Sequence, residues 1–457
     1  MRLWQCIGVG LIVALVSAAG ASSARAASED RGVPFGDSLE GGWTRAGGDA
    51  PIVRQTAWGR RRVLAGTAPL SVAAIAVNRR GRFAFAGSGA DGRLVAGTTV
   101  LGARRATRRT LRLGGRRVGG PALAIDDRGR VMVAWLQAAR GGVAIYAARA
   151  RRGAFGRPRR VGRVAGTLSD HGLELAVGRT GRAALAVGPT GEALASRPRR
   201  TYVALAAPGR RFGPPRRLAN ASELRVIVDA DGTAWVGLVR GRAVEVRSSP
   251  ADGERFGAPQ TFSAPDRVTQ LALAAGRDGT VAAGWVADLP PAGEEGAELR
   301  VAVREPGTSF TPAETVSRPL GAASSETFHR ATNPALAVAP DGEVLAAWAQ
   351  ATFATDLQVA WTARRAGGPF APAQLLEQTG TFELTLQLAM AARGIAALAY
   401  DAIDEMNVLY TALHPRGGSF SRIMQLRSQE DGRLLSGGPV PYLVLARPDG
   451  LRVRAAR

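Results

Sequence analysis

The feature that most constrains this chain is an internal repeat of about fifty residues. A short apolar run, a turn ending in glycine and a second apolar run recur along it. The clearest copies are LAIDDRGRVMVAW around Gly129, LAAGRDGTVAAGW around Gly279 and LAVAPDGEVLAAW around Gly342. Weaker copies surround Gly81, Gly181, Gly232, Gly394 and Gly450, so successive glycines stand 48, 52, 51, 47, 63, 52 and 56 residues apart. Six residues after the glycine an aromatic returns, as Trp135, Trp285, Trp348 and Tyr400. A fixed place at a strand end reads as packing rather than as a platform for sugars.

Each unit has a second half. A third apolar run is followed by an aromatic with Gly or Pro close behind and a short fourth run, as in FGRPRRV from Phe155, FGPPRRL from Phe212, FGAPQTF from Phe256, FTPAETV from Phe310 and FAPAQLL from Phe370. Four short strands per unit, punctuated by turn residues and without helical period, describe one blade of a β-propeller. The chain ends after YLVLARPDGLRVRAA, read as the first two strands of a unit, while PIVRQTAWGRRRVLA near the start reads as an isolated second half with Trp58-Gly59 in the place of Phe-Gly. One blade is then built from both termini, which shuts the ring and protects strand edges. The expectation is an all-β chain forming a single propeller of eight four-stranded blades over residues 51–457, about 51 residues each, with seven blades the alternative.

Composition agrees. An apolar fraction of 46% with 26 aromatic residues (Trp 8, Tyr 5, Phe 13) supplies a core, and 58 Gly with 26 Pro disfavours long helices. Disordered, collagenous and disulfide-scaffold classes are excluded. Residues 1–26 read as a secretory signal: Arg2 begins it, Ile7 to Ala21 is its apolar stretch, and Ala24-Arg25-Ala26 is the cleavage pattern, so the mature chain starts at Ala27. Residues 27–50 read as a flexible lead-in. The sole cysteine, Cys6, leaves with the signal, so the mature chain has no thiol chemistry. No later window is long and apolar enough to span a membrane. The expectation is a secreted or cell-envelope protein with no cofactor and no metal.

Topology narrows the search for a site. The turns between first and second strands are uniformly short, whereas longer segments fall between second and third strands and between blades. Those two connection classes emerge on one face of a propeller, and loops on a rigid scaffold collect function. Second-to-third segments are 286–298, 349–356 and 401–407; blade-to-blade segments are 163–172 and 317–333. Candidate ligand-binding residues on this face are Asp170, His171, Asp288, Glu294, Glu295, Glu326, His329, Arg330, Asp356, Asp401 and Asp404. His171 and His329 have the titration range of acid–base groups or metal ligands but lack ligand spacing, so a surface-loop role is the blander reading. Asp288, Glu294, Glu295 and Glu298 suit Ca²⁺ or a cationic partner, against solubilising a Pro/Gly-rich loop. Asp401, Asp404 and Glu405 offer paired carboxylates for glycoside hydrolysis, against a solvated turn. His414, between third and fourth strands, belongs to the other face. Phosphate loops, dinucleotide fingerprints, HExxH and Gly-x-Ser-x-Gly motifs are absent.

Every one of the 60 cations is arginine. Residues 27–230 hold 37 Arg and 13 acids, while residues 231–457 hold 21 Arg and 24 acids. Arginines cluster about the fourth strands, as Arg108 and Arg109, Arg159 and Arg160, and Arg216 and Arg217. They should line the outer rim, where charge discourages edge-to-edge pairing. The same arc suits an anionic envelope polymer. Nucleic acid is disfavoured, because the chain is read as exported and lacks interleaved aromatics.

On these repeats the chain resembles the secreted bacterial β-propellers grouped near sialidase-like and WD-repeat folds. It departs from the sialidase Asp-box Ser-x-Asp-x-Gly-x-Thr-Trp: the nearest stretch, VDADGTAW ending at Trp235, has Val228, Ala230 and Ala234 in place of Ser, Asp and Thr. The leading expectation is a non-catalytic propeller that binds a protein or glycan through its loop-rich face. The alternatives are a carbohydrate-active hydrolase, which the sialidase resemblance implies, and a polyanion-binding envelope protein.

Overall fold

The structure is a computed structural model that describes Trp58 and, with short gaps, residues 62–456. The expected signal and the segment 27–50 lie outside the described residues. Eight four-stranded antiparallel blades succeed one another, over residues 71–111, 122–164, 172–221, 223–263, 268–315, 330–379 and 384–427, with a composite eighth. We number them 1 to 8 in that order and count strands outward from the channel.

Six of the first-to-second turns share one device. The first turn residue accepts a hydrogen bond from a glycine three residues on, as Gly129 N to Asp126 O at 2.9 Å and Gly342 N to Ala339 O at 3.1 Å, and the turns at Gly279 and Gly437 keep the glycine conformation. These glycines sit at φ from +70° to +94°, a region that costs an L-residue with a Cβ about 1 kcal/mol or more. The second half is equally regular. The residue after each aromatic donates its N–H to the third strand, as Gly156 to Arg149 O, Gly257 to Ser248 O and Ala371 to Ala363 O, all at 2.8 Å.

The core lies between neighbouring blades. Trp135, Trp285, Trp348 and Tyr400 are fully buried, as the repeat predicts. Trp285 packs with Phe262 of blade 4, ring centroids 5.1 Å apart, and Trp135 packs among Ala84, Leu94 and Ala96 of blade 1. The ring closes through both termini, with one change of register. The composite blade has Gly432–Leu435 innermost, then Tyr442–Arg447, Gly450–Ala455 and finally Arg62–Val63. The C-terminal YLVLARPDGLRVRAA therefore supplies second and third strands, not first and second. The turn glycine of this blade is Gly437, at φ +85°, in place of the expected Gly450. Trp58 does take the aromatic's place, bridging Ala456 and donating from Nε1 to Thr411 Oγ1 at 3.0 Å.

The loop-rich face is less uniform than expected. Strands run through much of two segments read as loops: Val281–Asp288 and Ala297–Arg304 leave only 289–296 between them, and Val344–Phe353 and Asp356–Arg364 leave only 354–355. Strand pairing won there because both arms are apolar on alternate residues and find partners across the full length.

Candidate ligand site at the channel mouth

A cavity of about 490 Å³ opens where the inner strands end in their short turns, and all eight blades line it. It lies on the trim face, opposite the expected one. Its wall is aliphatic, with Ile125, Val177, Ile227, Leu273, Leu336 and Leu388 contributed by six different blades. Charge is confined to the rim, and the repeat dictates how. The first turn residue of three blades spends its side chain on its own turn. Asn78 Oδ1 accepts from the N–H groups of Arg80 and Arg82, both at 3.1 Å. Asp126 Oδ1 accepts from Arg130 N at 2.8 Å, and Asp229 Oδ1 from Asp231 N at 3.1 Å and Thr233 N at 2.8 Å. Asp229 Oδ2 also takes Trp235 Nε1 at 2.9 Å, so this carboxylate is fully occupied.

The next turn residue faces the opening. Blade by blade it is Arg79, Asp127, Arg179, Ala230, Arg277, Pro340 and Ala392; all but Arg79 line the cavity, and the charged members fall on blades 1 to 3 and 5. Arg79 Nε and Arg179 Nε approach Asp127 Oδ2 at 3.3 and 3.5 Å. Arg277, from blade 5, has no carboxylate within ion-pair distance among the described residues. Burial lowers its pKa below the ordinary arginine value; the attraction of Asp127 opposes this, while repulsion by Arg179 and Arg79 adds to it. The cavity lining thus carries Arg179 and Arg277 beside Asp126, Asp127 and Asp229, of which Asp126 is paired with Arg130 and Asp229 is held by its own turn and Trp235.

Nearer the other face, a polar girdle staples inner strands to one another. Glu174 accepts from Val226 N at 2.8 Å and from Arg225 Nη1 at 2.8 Å, while Arg225 also donates Nε to Leu271 O at 2.9 Å. Arg225 Nη2 meets Glu223 at 2.7 Å, and these two carboxylates raise its pKa despite its burial. Gln270 donates to Thr332 Oγ1 at 3.0 Å, Gln387 accepts from Leu434 N at 2.9 Å, and Arg433 donates to Ala73 O at 2.9 Å across the closure.

The residues singled out from sequence do not form one constellation. Asp170 closes a short 3-10 turn (Leu168–Asp170), accepting from Thr167 N at 2.7 Å and Thr167 Oγ1 at 2.8 Å, and pairs with Arg199. His171, read as a surface histidine, is instead buried, with Nε2 at 2.8 Å from Ala165 O. Asp288 ends a strand and donates its N–H to Arg267 O at 2.8 Å. Arg330, Asp356 and Asp401 are placed by their backbones on strands of blades 6 and 7. Glu294, Glu295, Glu326, His329 and Asp404 lie outside the described residues. His414 is also buried rather than a loop residue, edge-on to Trp361 and Phe420. The sequence signal for the mouth arginines is positional and carries no motif: Arg79, Asp127, Arg179 and Arg277 each stand two residues before a turn glycine, in short turns rather than in the long loops.

No protein-family model matches the chain, and no curated protein matches it. Among solved structures, the Dos1 propeller is similar at 11% identity and TM-score 0.48, over 88% of this chain and 95% of that one. A polysaccharide lyase, a PL25 ulvan lyase bound to -[GlcA(1-4)Rha3S]-, is similar at 10% identity and TM-score 0.46, over 73% and 92%. An α-L-arabinanase of Penicillium chrysogenum complexed with arabinobiose is similar at 12% identity and TM-score 0.37, over 76% and 94%.

Proposed function

We propose that this chain is an exported, non-catalytic binding propeller that takes its ligand at the turn-face mouth of the central channel. The observation that carries this reading is the division of labour among the channel carboxylates. Asp126 and Asp229 are locked into turns, and Glu174 and Glu223 share the guanidinium of Arg225. A glycoside hydrolase needs two carboxyl groups with different protonation states, one of them a proton donor. Glu174 and Glu223 are both engaged by one guanidinium and so are not presented as a free pair. At the mouth the other lining carboxylates beside Asp127 are these same turn-locked Asp126 and Asp229, and no tyrosine lines the cavity among the described residues. What remains is a rigid, aliphatic-walled recess with a charged lip, the form of a recognition pocket.

A thermal-shift screen of sugars, sugar acids and short peptides tests this reading, with Ala230→Leu as a plug of the mouth. A hit that loses its shift in Ala230→Leu, and is recovered chemically unchanged by mass spectrometry after incubation, supports binding without turnover at the mouth. A hit that keeps its shift in the plugged variant places the ligand elsewhere.

A second reading rests on a separate observation. Arg108 and Arg109, Arg159 and Arg160, and Arg216 and Arg217 are all exposed on the outermost strands of blades 1 to 3. That arc suits an anionic envelope polymer, and retention on such a polymer should fall steeply as salt shortens the Debye length from about 10 Å at 0.1 M. Retention unchanged between low and high salt removes this reading.

A further inference from the structure

We propose that the channel mouth is an oxyanion site, built to hold a phosphate- or sulfate-like group between Arg179 and Arg277 above Ala230. The inference rests on the channel-mouth reading and adds the chemistry of the ligand. Three facts of placement carry it. First, the cations come from three separate blades on short, hydrogen-bonded turns, so the ring fixes the backbone positions from which they reach and no loop must order on binding. Secondly, Asp127 stands on the blade 1–3 side and is shared by Arg79 and Arg179, leaving Arg277 unmatched by any carboxylate within ion-pair distance among the described residues. Thirdly, the residue between Arg179 and Arg277 around the ring is Ala230, one of two alanines among the seven facing positions, so only a methyl group stands between the two arginine positions.

Guanidinium groups offer planar, multi-donor faces that match tetrahedral and carboxylate oxyanions. An anion beside Arg277 would meet a guanidinium that has no carboxylate within ion-pair distance among the described residues. The aliphatic wall beneath gives an ester-linked organic part somewhere to lie. The chemistry is shared by a free ion and by the phosphate group of a larger molecule, and the test separates the two.

Isothermal titration of the whole protein with inorganic phosphate and with glucose 6-phosphate, at constant ionic strength set by chloride, provides that test. The expected result is saturable phosphate binding that weakens at least tenfold in Arg277→Gln and in Arg179→Gln. Ala230→Leu, which keeps every charge, should abolish it, and Asp127→Asn should tighten it several-fold. Tighter binding of glucose 6-phosphate than of phosphate identifies an esterified group as the ligand; equal binding identifies the free ion. Melting curves establish that each variant is folded at the titration temperature, and Asp127→Asn, which should gain affinity, separates an effect on the site from loss of the fold. Phosphate binding that is absent, or that is equal in wild type, Arg277→Gln and Ala230→Leu, overturns the proposal. If a hit from the thermal-shift screen is lost in Ala230→Leu but phosphate does not compete with it, the mouth remains the site and the oxyanion assignment falls alone. If that hit survives the plug, both fall.

Discussion

His414 gives the sharpest prediction about stability. Its ring is fully buried at the end of the third strand of blade 7, against Trp361 at 5.2 Å and Phe420 at 4.9 Å between ring centroids. Burial drives its pKa down from 6.5 to about 4. Above pH 6.5 the ring is neutral in both folded and unfolded chains and costs nothing in linkage. Between pH 6.5 and about 4 the unfolded chain takes up a proton that the folded chain refuses, so stability falls as the pH falls. Each unit of difference in pKa is worth about 1.4 kcal/mol, and the interval sums to about 3 kcal/mol. Below pH 4 this contribution stops changing. His414→Phe keeps the edge-on aromatic packing and removes the titration. Urea unfolding of both proteins at pH 7.5, 6, 5 and 4 reads the effect as a difference, in which the carboxylates common to both cancel. The stability gap should shift in favour of His414→Phe by about 3 kcal/mol across that range. Parallel pH curves for the two proteins would refute the assignment.

Two further outcomes follow from burial elsewhere. Arg182 is 2% exposed and holds Ser249 Oγ at 2.8 Å, Gly253 O at 2.6 Å and Ala251 O on the adjacent blade, so Arg182→Met orphans those acceptors and should cost about 3 kcal/mol in urea unfolding. An unchanged midpoint would show that the acceptors find other donors. Trp58→Ala removes the buried indole that joins the N-terminal strand to Leu409, Leu413 and Leu443, at a cost of about 3–5 kcal/mol. Limited proteolysis should then cut first within residues 432–456, and cleavage spread evenly over the blades would contradict closure through Trp58.

Much of the fold was legible because it is written eight times. Glycine at a left-handed turn and an aromatic at a strand end are local requirements, so each copy reports the same geometry. The last unit misled because Gly450 imitates the motif: it lies in LARPDG, between two apolar runs, and only pairing with Gly432–Leu435 shows that those runs are second and third strands. Loop length misled in another way. The segment 349–356 is polar enough to read as a connection, yet Gln350 is buried and pairs with Gln358 in a strand that continues to Phe353. His171 and His414 became core because backbone and aromatic neighbours, invisible in one dimension, enclose them. The charged lip was present in the sequence as a column of turn residues, and its significance depends on ring closure, which brings residues up to about two hundred positions apart around one opening.

The most direct test of the account is where an oxyanion settles. Crystals grown from chloride and soaked in selenate, a heavy analogue of sulfate, locate bound anions by anomalous scattering. The account predicts the strongest peak above Ala230 between Arg179 and Arg277, present in the wild-type protein and absent in Ala230→Leu. Peaks confined to the rim arginines, or a mouth peak that persists in the plugged variant, would contradict it.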